Sequence, residues 1–484
     1  MSSPDLTSHG RRAKLVCTLG PATATPEAVR ALIDAGMDVA RVNFSHGTDD
    51  DHARAVRLVR EATAEAGRVV ATLADLSGPK IRLGEIRAGH LHLEPGARFL
   101  LRADGRPGDA TGASTTYPGL GADLRPGDRV LLADGAVELI VREVGADVVT
   151  EVVKSLRKGR VGTRSGVNVP SERMSLPAIT DKDRADLVRA LDLGFDTVAQ
   201  SFVRSADDVR ELRALMGRRR VPIVAKLENR SAVENAEAII RTADAIMVAR
   251  GDLGVEIELE EIPIVQKEII SLCRRTGTPS VVATQMLESM VTSPKPTRAE
   301  VSDAANAILD GADAVLLSAE TAVGEFPVEA AAAAAKIAGI AEQRGRRFRL
   351  RLPKAETGTT AQAIARAAVE VTETDLDVSA IACFTRTGRT AMLVAAERPE
   401  VPVYAFSPEE RVARGLAGVW GLTPCLSDAP DDVDGLIAMI DKRLVADGLV
   451  EEGRTIVLVG AAPVGRAHTN LLKVHVLGSP AYRS

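Results

Sequence analysis

The fold class that the sequence predicts is α/β: a (β/α)8 barrel with an all-β insertion after its third strand and an open α/β domain behind it. Three observations carry the prediction. Eight aliphatic runs of strand length alternate with amphipathic stretches over about 250 residues once one segment is set aside, the pattern of a parallel barrel. That segment, residues 84–176, instead alternates short β-prone runs with Gly, Pro and Asp turn signals. Aromatic residues make up 2% of a chain that is 45% hydrophobic, so its cores must be aliphatic, as in parallel layers buried on both faces. The expected domains are a barrel from 11–83 and 177–343, an insertion at 84–176, and a C-terminal domain at 354–484.

In order, the barrel runs are Leu15–Leu19, Val39–Phe44, Val69–Leu73, Thr197–Phe202, Val221–Leu227, Ala245–Val248, Ser280–Thr284 and Ala314–Leu317. Helical periodicity fills most of the gaps, at Pro26–Ala35, Asp50–Ala66, Ser205–Met216, Ser231–Thr242 and Ile262–Arg275. Ser231 and Glu234 have the S-x-x-E spacing of a capping box. Ala330–Ala335, bracketed by Glu329 and Lys336, predicts a packed helix too short to span a bilayer. In the insertion, Glu94-Pro-Gly-Ala97, Ala103-Asp-Gly-Arg-Pro-Gly-Asp109, Arg125-Pro-Gly-Asp128 and Ala133-Asp-Gly-Ala136 are turns. They separate strand-like runs such as Val130–Leu132, Val137–Val141 and Val148–Val153. An insertion after a barrel strand hangs over the C-terminal mouth, where barrel enzymes keep their active sites, so a lid is expected. A basic connector, Arg344 to Pro353, leads to helix-like Ala361–Val371 and the runs Ala380–Phe384, Val401–Phe406, Thr455–Val459 and Leu472–Leu477. These predict an open α/β sheet.

Bulk properties exclude several classes. A length of 484 residues suggests two to four domains, and 26% charged residues suit a soluble globular protein. A formal charge of -5 and the scarcity of stacking aromatics argue against nucleic acid as a partner. Cys17, Cys273, Cys383 and Cys425 are scattered without a CxxC, which disfavours zinc and disulfides and suits a reducing cytoplasm. Residues 1–13 are polar, so no secretory signal is expected, and no membrane association either.

The polar residues that close the strands carry the chemistry. Lys226-Leu227-Glu228 ends one run, and Asp252 follows Glu228 by 24 residues, after the next run. Residues two apart on a strand share a face, so Lys226 and Glu228 point the same way. An ammonium beside two carboxylates suits a divalent cation and an anionic substrate together. A surface ion pair with a turn aspartate is the plain alternative. The other strands weigh against it: Arg41, Asn43 and Ser45 close the second, Asp75 the third with Arg82 beyond, Ser201 the fourth, Thr284 the seventh, Ser318 and Glu320 the eighth. All of these converge on one rim of a barrel. With no Ser–His or Cys nucleophile in the set, it suits phosphoryl transfer by positioning and electrostatics. There is no GxxxxGK[ST] loop, so a nucleotide is expected on the rim under the lid.

Lys14-Leu-Val-Cys-Thr-Leu-Gly-Pro-Ala-Thr23, Ala40-Arg-Val-Asn-Phe-Ser-His-Gly47 and Asp75-Leu-Ser-Gly-Pro-Lys-Ile-Arg82 resemble sequence blocks of the pyruvate kinase family. So do Ala225-Lys-Leu-Glu-Asn229, Val248-Ala-Arg-Gly-Asp-Leu-Gly254, Ala283-Thr-Gln-Met-Leu-Glu-Ser-Met290 and Leu317-Ser-Ala-Glu-Thr321. The blocks stand in family order and span nearly the whole chain, most weakly in the lid and C-terminal unit.

The resemblance implies phosphoryl transfer from phosphoenolpyruvate to ADP, giving pyruvate and ATP, the last step of glycolysis. It implies that Glu228 and Asp252 hold Mg²⁺ (or Mn²⁺) and that Lys226 stabilises the phosphoryl group in flight. Arg41 and Ser201 would bind the substrate phosphate, the backbone at Gly251 its carboxylate, and Thr284 would position the proton relay to the enolate. Asn43, His46 and Arg82 would contact the nucleotide. Asn43, Ser45, Asp75 and Leu76 form the family's monovalent cation site. The chain departs from the family there: Lys80 stands where K⁺-dependent members commonly carry Glu, so its ammonium is expected to replace K⁺. Leu76 stands where a Thr is common, leaving its carbonyl as a ligand, and Ser165 replaces a family Lys, with Arg164 beside it. Thr385, Arg386, Thr387, Gly388, Arg389 and Thr390 follow a strand where a helix begins, a site suited to the phosphate of an allosteric effector. A cytoplasmic homotetramer completes what the resemblance implies. A barrel aldolase or lyase acting on pyruvate enolates, and an effector-binding paralogue without catalysis, are the competing readings. Arg82 and His46 weigh against the first, Lys226, Glu228, Asp252 and Thr284 together against the second.

Overall fold

The computed structural model describes residues 11–156, 159–170, 175–345, 358–464 and 468–479. Beyond Gly345, the expected basic connector lies outside these residues. Eight parallel strands close a barrel: Lys14–Leu19, Val39–Asn43, Ala71–Asp75, Thr197–Gln200, Ile223–Leu227, Ala245–Ala249, Ser280–Ala283 and Ala314–Leu317. Its interior is filled by Val16, Leu73, Val224, Met247 and Leu316 with small residues such as Ala71 and Ala283 between them. That alternation of large and small aliphatics is what an aromatic-poor sequence can pack without voids. Helices start where Thr25, Thr48, Thr180, Ser205 and Thr297 accept backbone N–H groups at their N-caps.

Two local expectations are corrected. No capping box forms at Ser231 and Glu234, because the helix begins one residue earlier, at Arg230, and Asn229 caps it by accepting from Ala232 N at 2.8 Å. The single helix expected over Ser231–Thr242 is two, Arg230–Glu234 and Ala236–Thr242, divided at Asn235. The Asn235 amide reaches out of the helix to Arg204 O at 3.0 Å, which favours a break there. The alanine run lies within Pro327–Gly345 and is packed against the barrel.

The insertion is all-β, with a six-stranded sheet and a two-stranded ribbon around a core that includes Phe99, Leu101, Leu132 and Leu139. Its entry and exit chains meet where Arg82 pairs with Gly166. It leans on the barrel's C-terminal loops through Arg204 Nη2 donating to Leu176 O at 2.6 Å.

The C-terminal sheet runs in the order Leu422–Leu426, Val403–Ser407, Val378–Phe384, Thr455–Gly460, Leu471–Val476, with only the last strand antiparallel. Leu422–Leu426 is an added strand with no sequence expectation. Its Pro424 masks it and also fits its place on the sheet edge. This domain closes the barrel floor: Ala417, in the turn Leu416–Gly418, joins the barrel's inner layer. Beside it the guanidiniums of Arg12 and Arg398 lie over the Trp420 ring, 5.5 and 4.4 Å from its centroid, and the indole donates to Glu342 Oε1 at 2.7 Å. Arg414 reaches the buried Asp196 at 2.6 Å, pinning the C-terminal domain to the barrel. Among the described residues no helix is long and apolar enough to cross a membrane.

Candidate active site

Lys226 is the centre of the rim. Alternation on the strand Ile223–Leu227 turns it inward with Val224, and it is only 9% exposed. Its Nζ lies 2.8 Å from Glu228 Oε1 and 3.3 Å from Asp75 Oδ1, and donates to Ser201 Oγ at 2.8 Å. Burial alone would depress the ammonium. Asp75 and Glu228 outweigh it and hold Lys226 above its ordinary range, so it stays charged. Burial would likewise raise Asp75, but Lys226 and Arg41 hold its carboxyl below the usual carboxylate range. Arg41 donates to Asp75 Oδ2 at 2.7 Å and to Thr18 Oγ1 at 2.9 Å. Ser201 is fixed in turn by donating to Leu76 O at 2.7 Å.

Glu228 is the strained partner. It is 2% exposed and accepts from Phe202 N at 2.8 Å. Burial raises its carboxyl, Lys226 opposes this, and the nearby charge of Asp252 adds to the rise, so Glu228 stands above its ordinary value. Two carboxylates that repel each other at a partly buried rim have the donor chemistry of a divalent cation site, since a cation between them removes the repulsion. Among the described residues no three His, Cys, Asp or Glu side chains gather into a metal cage. A pair of carboxylates is enough for a hard divalent cation, which completes its coordination with water and substrate oxygens.

Asp252 sits in the first turn of Arg250–Glu256, where an acidic side chain is favoured by the helix dipole. Its Oδ1 accepts from Lys80 Nζ at 2.8 Å. The Lys80 ammonium is thus directed at a carboxylate of the divalent pair; among the described residues no hydrogen bond joins it to Asn43, Ser45 or Asp75. The expected monovalent set is drawn together only in part. Asn43 Oδ1 accepts from Ser45 N at 3.0 Å, Asp75 is committed to Arg41 and Lys226, and the Leu76 carbonyl accepts from Ser201.

Thr284 lies at φ 71°, a left-handed value costly for a β-branched residue. Its Oγ1 accepts from Gly251 N at 2.7 Å and donates to Ala283 O at 2.6 Å. The amide expected to meet a substrate carboxylate is therefore held by Thr284. Glu320 braces the rim from behind, accepting from Leu287 N at 3.0 Å and Ser318 N at 2.7 Å.

Asn43 and His46 line one cleft of about 580 Å³ with Thr18, Pro21 and Arg54. Arg82 does not line it; its Nη1 donates to Arg164 O at the lid base, 3.1 Å away. Ser165 accepts from Gly162 N at 2.9 Å, within the same lid turn. Thr18 is a site residue that the sequence reading passed over. Strand register offered the signal, since Thr18 lies directly opposite Arg41. Lys182, which donates to Phe44 O at 2.7 Å and steadies the loop after the second strand, carries no motif that could have marked it.

In the C-terminal domain, Thr385 to Thr390 form the turn after Val378–Phe384. Gly388 adopts φ 85° and donates to Thr385 Oγ1 at 2.9 Å, while the Thr390 and Thr469 hydroxyls lie 2.7 Å apart. Arg386, Thr387 and Arg389 are exposed.

Comparison with known proteins agrees with this geometry. The family description "Pyruvate kinase, barrel domain" matches residues 10–331 and "Pyruvate kinase, alpha/beta domain" matches residues 362–475. A pyruvate kinase of Corynebacterium efficiens is 44% identical over 97% of this chain and 98% of its own length. One from Mycobacterium tuberculosis is 44% identical over 97% of this chain and 99% of its own. A crystal structure of a pyruvate kinase from Cryptosporidium parvum superposes with a TM-score of 0.88 at 34% identity, covering 98% of both chains. The chain belongs to the pyruvate kinase family and is a phosphotransferase of that kind.

Proposed function

We propose that phosphoenolpyruvate and ADP react at the barrel rim in an arrangement centred on Lys226. The observation that carries the reading is a buried ammonium within 3.3 Å of two carboxylates and a hydroxyl, kept charged by its neighbours. A divalent cation held by Glu228 and Asp252, when bound, supplies positive charge to the substrate's carboxylate and phosphoryl oxygens. The chain's own residues do the rest. Lys226, a point charge in a site of low dielectric, offsets charge spreading over the phosphoryl oxygens during transfer. Arg41, locked by Asp75 and Thr18, and Ser201 bind the substrate phosphate. The Gly251 amide exchanges its bond to Thr284 for the substrate carboxylate, freeing the Thr284 hydroxyl to position the proton relay to the enolate.

ADP is assigned to the cleft lined by Asn43 and His46, with Arg82 approaching from the lid base as the lid closes. Lys80 is assigned the monovalent charge, K⁺ being dispensable; its reach to Asp252 supports a cationic role at this rim. The effector is a phosphorylated metabolite at Thr385–Thr390. This turn lies at the carboxyl end of Val378–Phe384, next to Thr455–Gly460, where the strand order of the sheet reverses. Open α/β sheets bind ligands at such switch points. Thr387→Ala is expected to abolish a shift of the phosphoenolpyruvate saturation curve by sugar phosphates or nucleoside monophosphates; an undiminished shift removes the assignment. A cytoplasmic homotetramer is part of the same proposal, tested by sedimentation and cell fractionation.

The direct experiment is a coupled assay for pyruvate from phosphoenolpyruvate. Release that requires ADP and a divalent cation, crossed with K⁺, is the expected result. ADP-independent release points instead to lyase chemistry.

A further inference from the structure

The C-terminal domain does not fill the barrel floor. A cavity of about 510 Å³ lies between them, at the opposite end of the strands from Lys226 and Glu228. Val39, Ala71, Val224 and Val281 wall it on the barrel side, and Leu416 and Val419 on the other. Small floor residues leave this space, because Ala71 and Ala245 stand where larger side chains would meet the C-terminal turn. The volume falls within the range of about 300–1,000 Å³ typical of small-molecule sites, and so does its make-up of apolar walls with a few polar groups.

The charged groups are mostly of one sign, four arginines against the single carboxylate of Asp244, with the hydroxyls of Thr197 and Thr387 beside them. The arginines are Arg213, Arg220, Arg386 and Arg411. Arg213 is paired with Asp244 at 2.9 Å, and Arg386 with Glu409 at a loose 3.7 Å. Arg220 and Arg411 are exposed and have no ion pair or hydrogen bond among the described residues. Guanidiniums without partners at the mouth of an apolar chamber recognise a carboxylate or phosphate head by two parallel N–H bonds. An apolar body behind that head removes aliphatic surface from water.

We propose that this cavity is a binding site for an amphipathic organic anion, with a compact apolar body between the barrel floor and the Leu416–Gly418 turn and its head on Arg220 and Arg411. The site is distinct from the rim; Arg386, Thr387 and Gly388 of the effector turn also line it, and its head group is set apart from that assignment by Arg220 and Arg411.

Trp420 follows Val419 but does not itself line the cavity, so occupancy is read by isothermal titration calorimetry, which needs no reporter in the wall. The test titrates the full chain with octanoate, octyl phosphate, octanol and inorganic phosphate. Both octyl anions are expected to give saturable changes at least about tenfold tighter than octanol, with no response to inorganic phosphate. Comparing the two anions separates a carboxylate-bearing from a phosphate-bearing ligand. The double variant Arg220→Glu/Arg411→Glu, both exposed and safe for folding, is expected to weaken the anions about tenfold or more and leave octanol unchanged. Val281→Phe, which fills the chamber, is expected to remove every response. No saturable change in the native chain, equal binding of octanol and the anions, or an unaltered double variant overturns the proposal. Displacement of octyl phosphate by inorganic phosphate also overturns it, since the head would then be bound elsewhere.

Discussion

Replacing Lys80 by Gln separates two consequences of its ammonium at the rim. It donates to Asp252 Oδ1 at 2.8 Å, and the two side chains are 28% and 25% exposed. At an effective dielectric of about 20 that distance corresponds to about 6 kcal/mol of attraction. Solvent and salt around a pair this exposed leave about 1 kcal/mol of it. A divalent ion that takes Asp252 as a ligand must displace the ammonium and works against that energy. Lys80→Gln is therefore predicted to tighten Mn²⁺ binding about fivefold, the equivalent of about 1 kcal/mol. Turnover moves the other way. Without the ammonium its charge has to come from a monovalent cation, so the variant should be slow in K⁺-free buffer and recover when K⁺ is added. Native chain should be indifferent to K⁺. Mn²⁺ titration by electron paramagnetic resonance and initial rates at constant ionic strength measure the two effects. Strict K⁺ dependence of the native chain, together with unchanged Mn²⁺ affinity in the variant, refutes the reasoning.

Other consequences follow from the same geometry. Thr284→Ala removes the hydroxyl that engages Gly251 and Ala283, and is predicted to lower kcat by about 10²-fold or more. Rapid quench should then find ATP forming ahead of pyruvate; equal slowing of both excludes a role in protonation. Asp38 gives a pH prediction. Burial would raise its carboxyl, but Arg11, Lys14, the Leu15 amide and Arg68 hold it below its ordinary value. A depressed carboxyl contributes stability above its unfolded value of about 3.9, and that stability is lost as pH falls through the lower folded value. Unfolding free energies from urea titrations of the native chain and Asp38→Asn should therefore differ by about 3 kcal/mol near neutral pH. The gap should narrow at about pH 3; a gap that stays constant removes the linkage.

Much of the fold was legible because its strands are aliphatic runs bounded by turn residues, and a buried parallel strand leaves few other patterns available. Thr197, Ala245, Ser280 and Ala314 begin strands where the runs were expected to begin. Legibility failed where one chain segment answers to another. Ser231 and Glu234 have capping spacing, yet Asn229 wins the cap because its amide also bonds Val203 O. The edge strand Leu422–Leu426 is set by pairing with Val403–Ser407, over a proline that argues locally against a strand. At the site, strand alternation and the family blocks pointed to Lys226, Glu228, Asp252, Arg41 and Thr284, and the structure places Lys226 beside Glu228, Asp75 and Ser201. Which carboxylate the Lys80 ammonium meets depends on how the lid turn folds back over the barrel, 172 residues away in sequence from Asp252. The floor cavity was equally out of reach, since it exists only between two domains.

The central claim is that Lys226 acts on the phosphoryl group in flight, with Glu228 and Asp252 holding the metal. Lys226→Met tests that claim, because it keeps a long side chain and removes the ammonium with its bonds to Ser201, Glu228 and Asp75. An ammonium at contact distance in this site is worth about 4 kcal/mol to the transferring group, or about 10³-fold in rate. The account predicts that kcat for ADP-dependent pyruvate formation falls by about that factor while Mn²⁺ still binds within a fewfold of native affinity. Turnover close to native contradicts it.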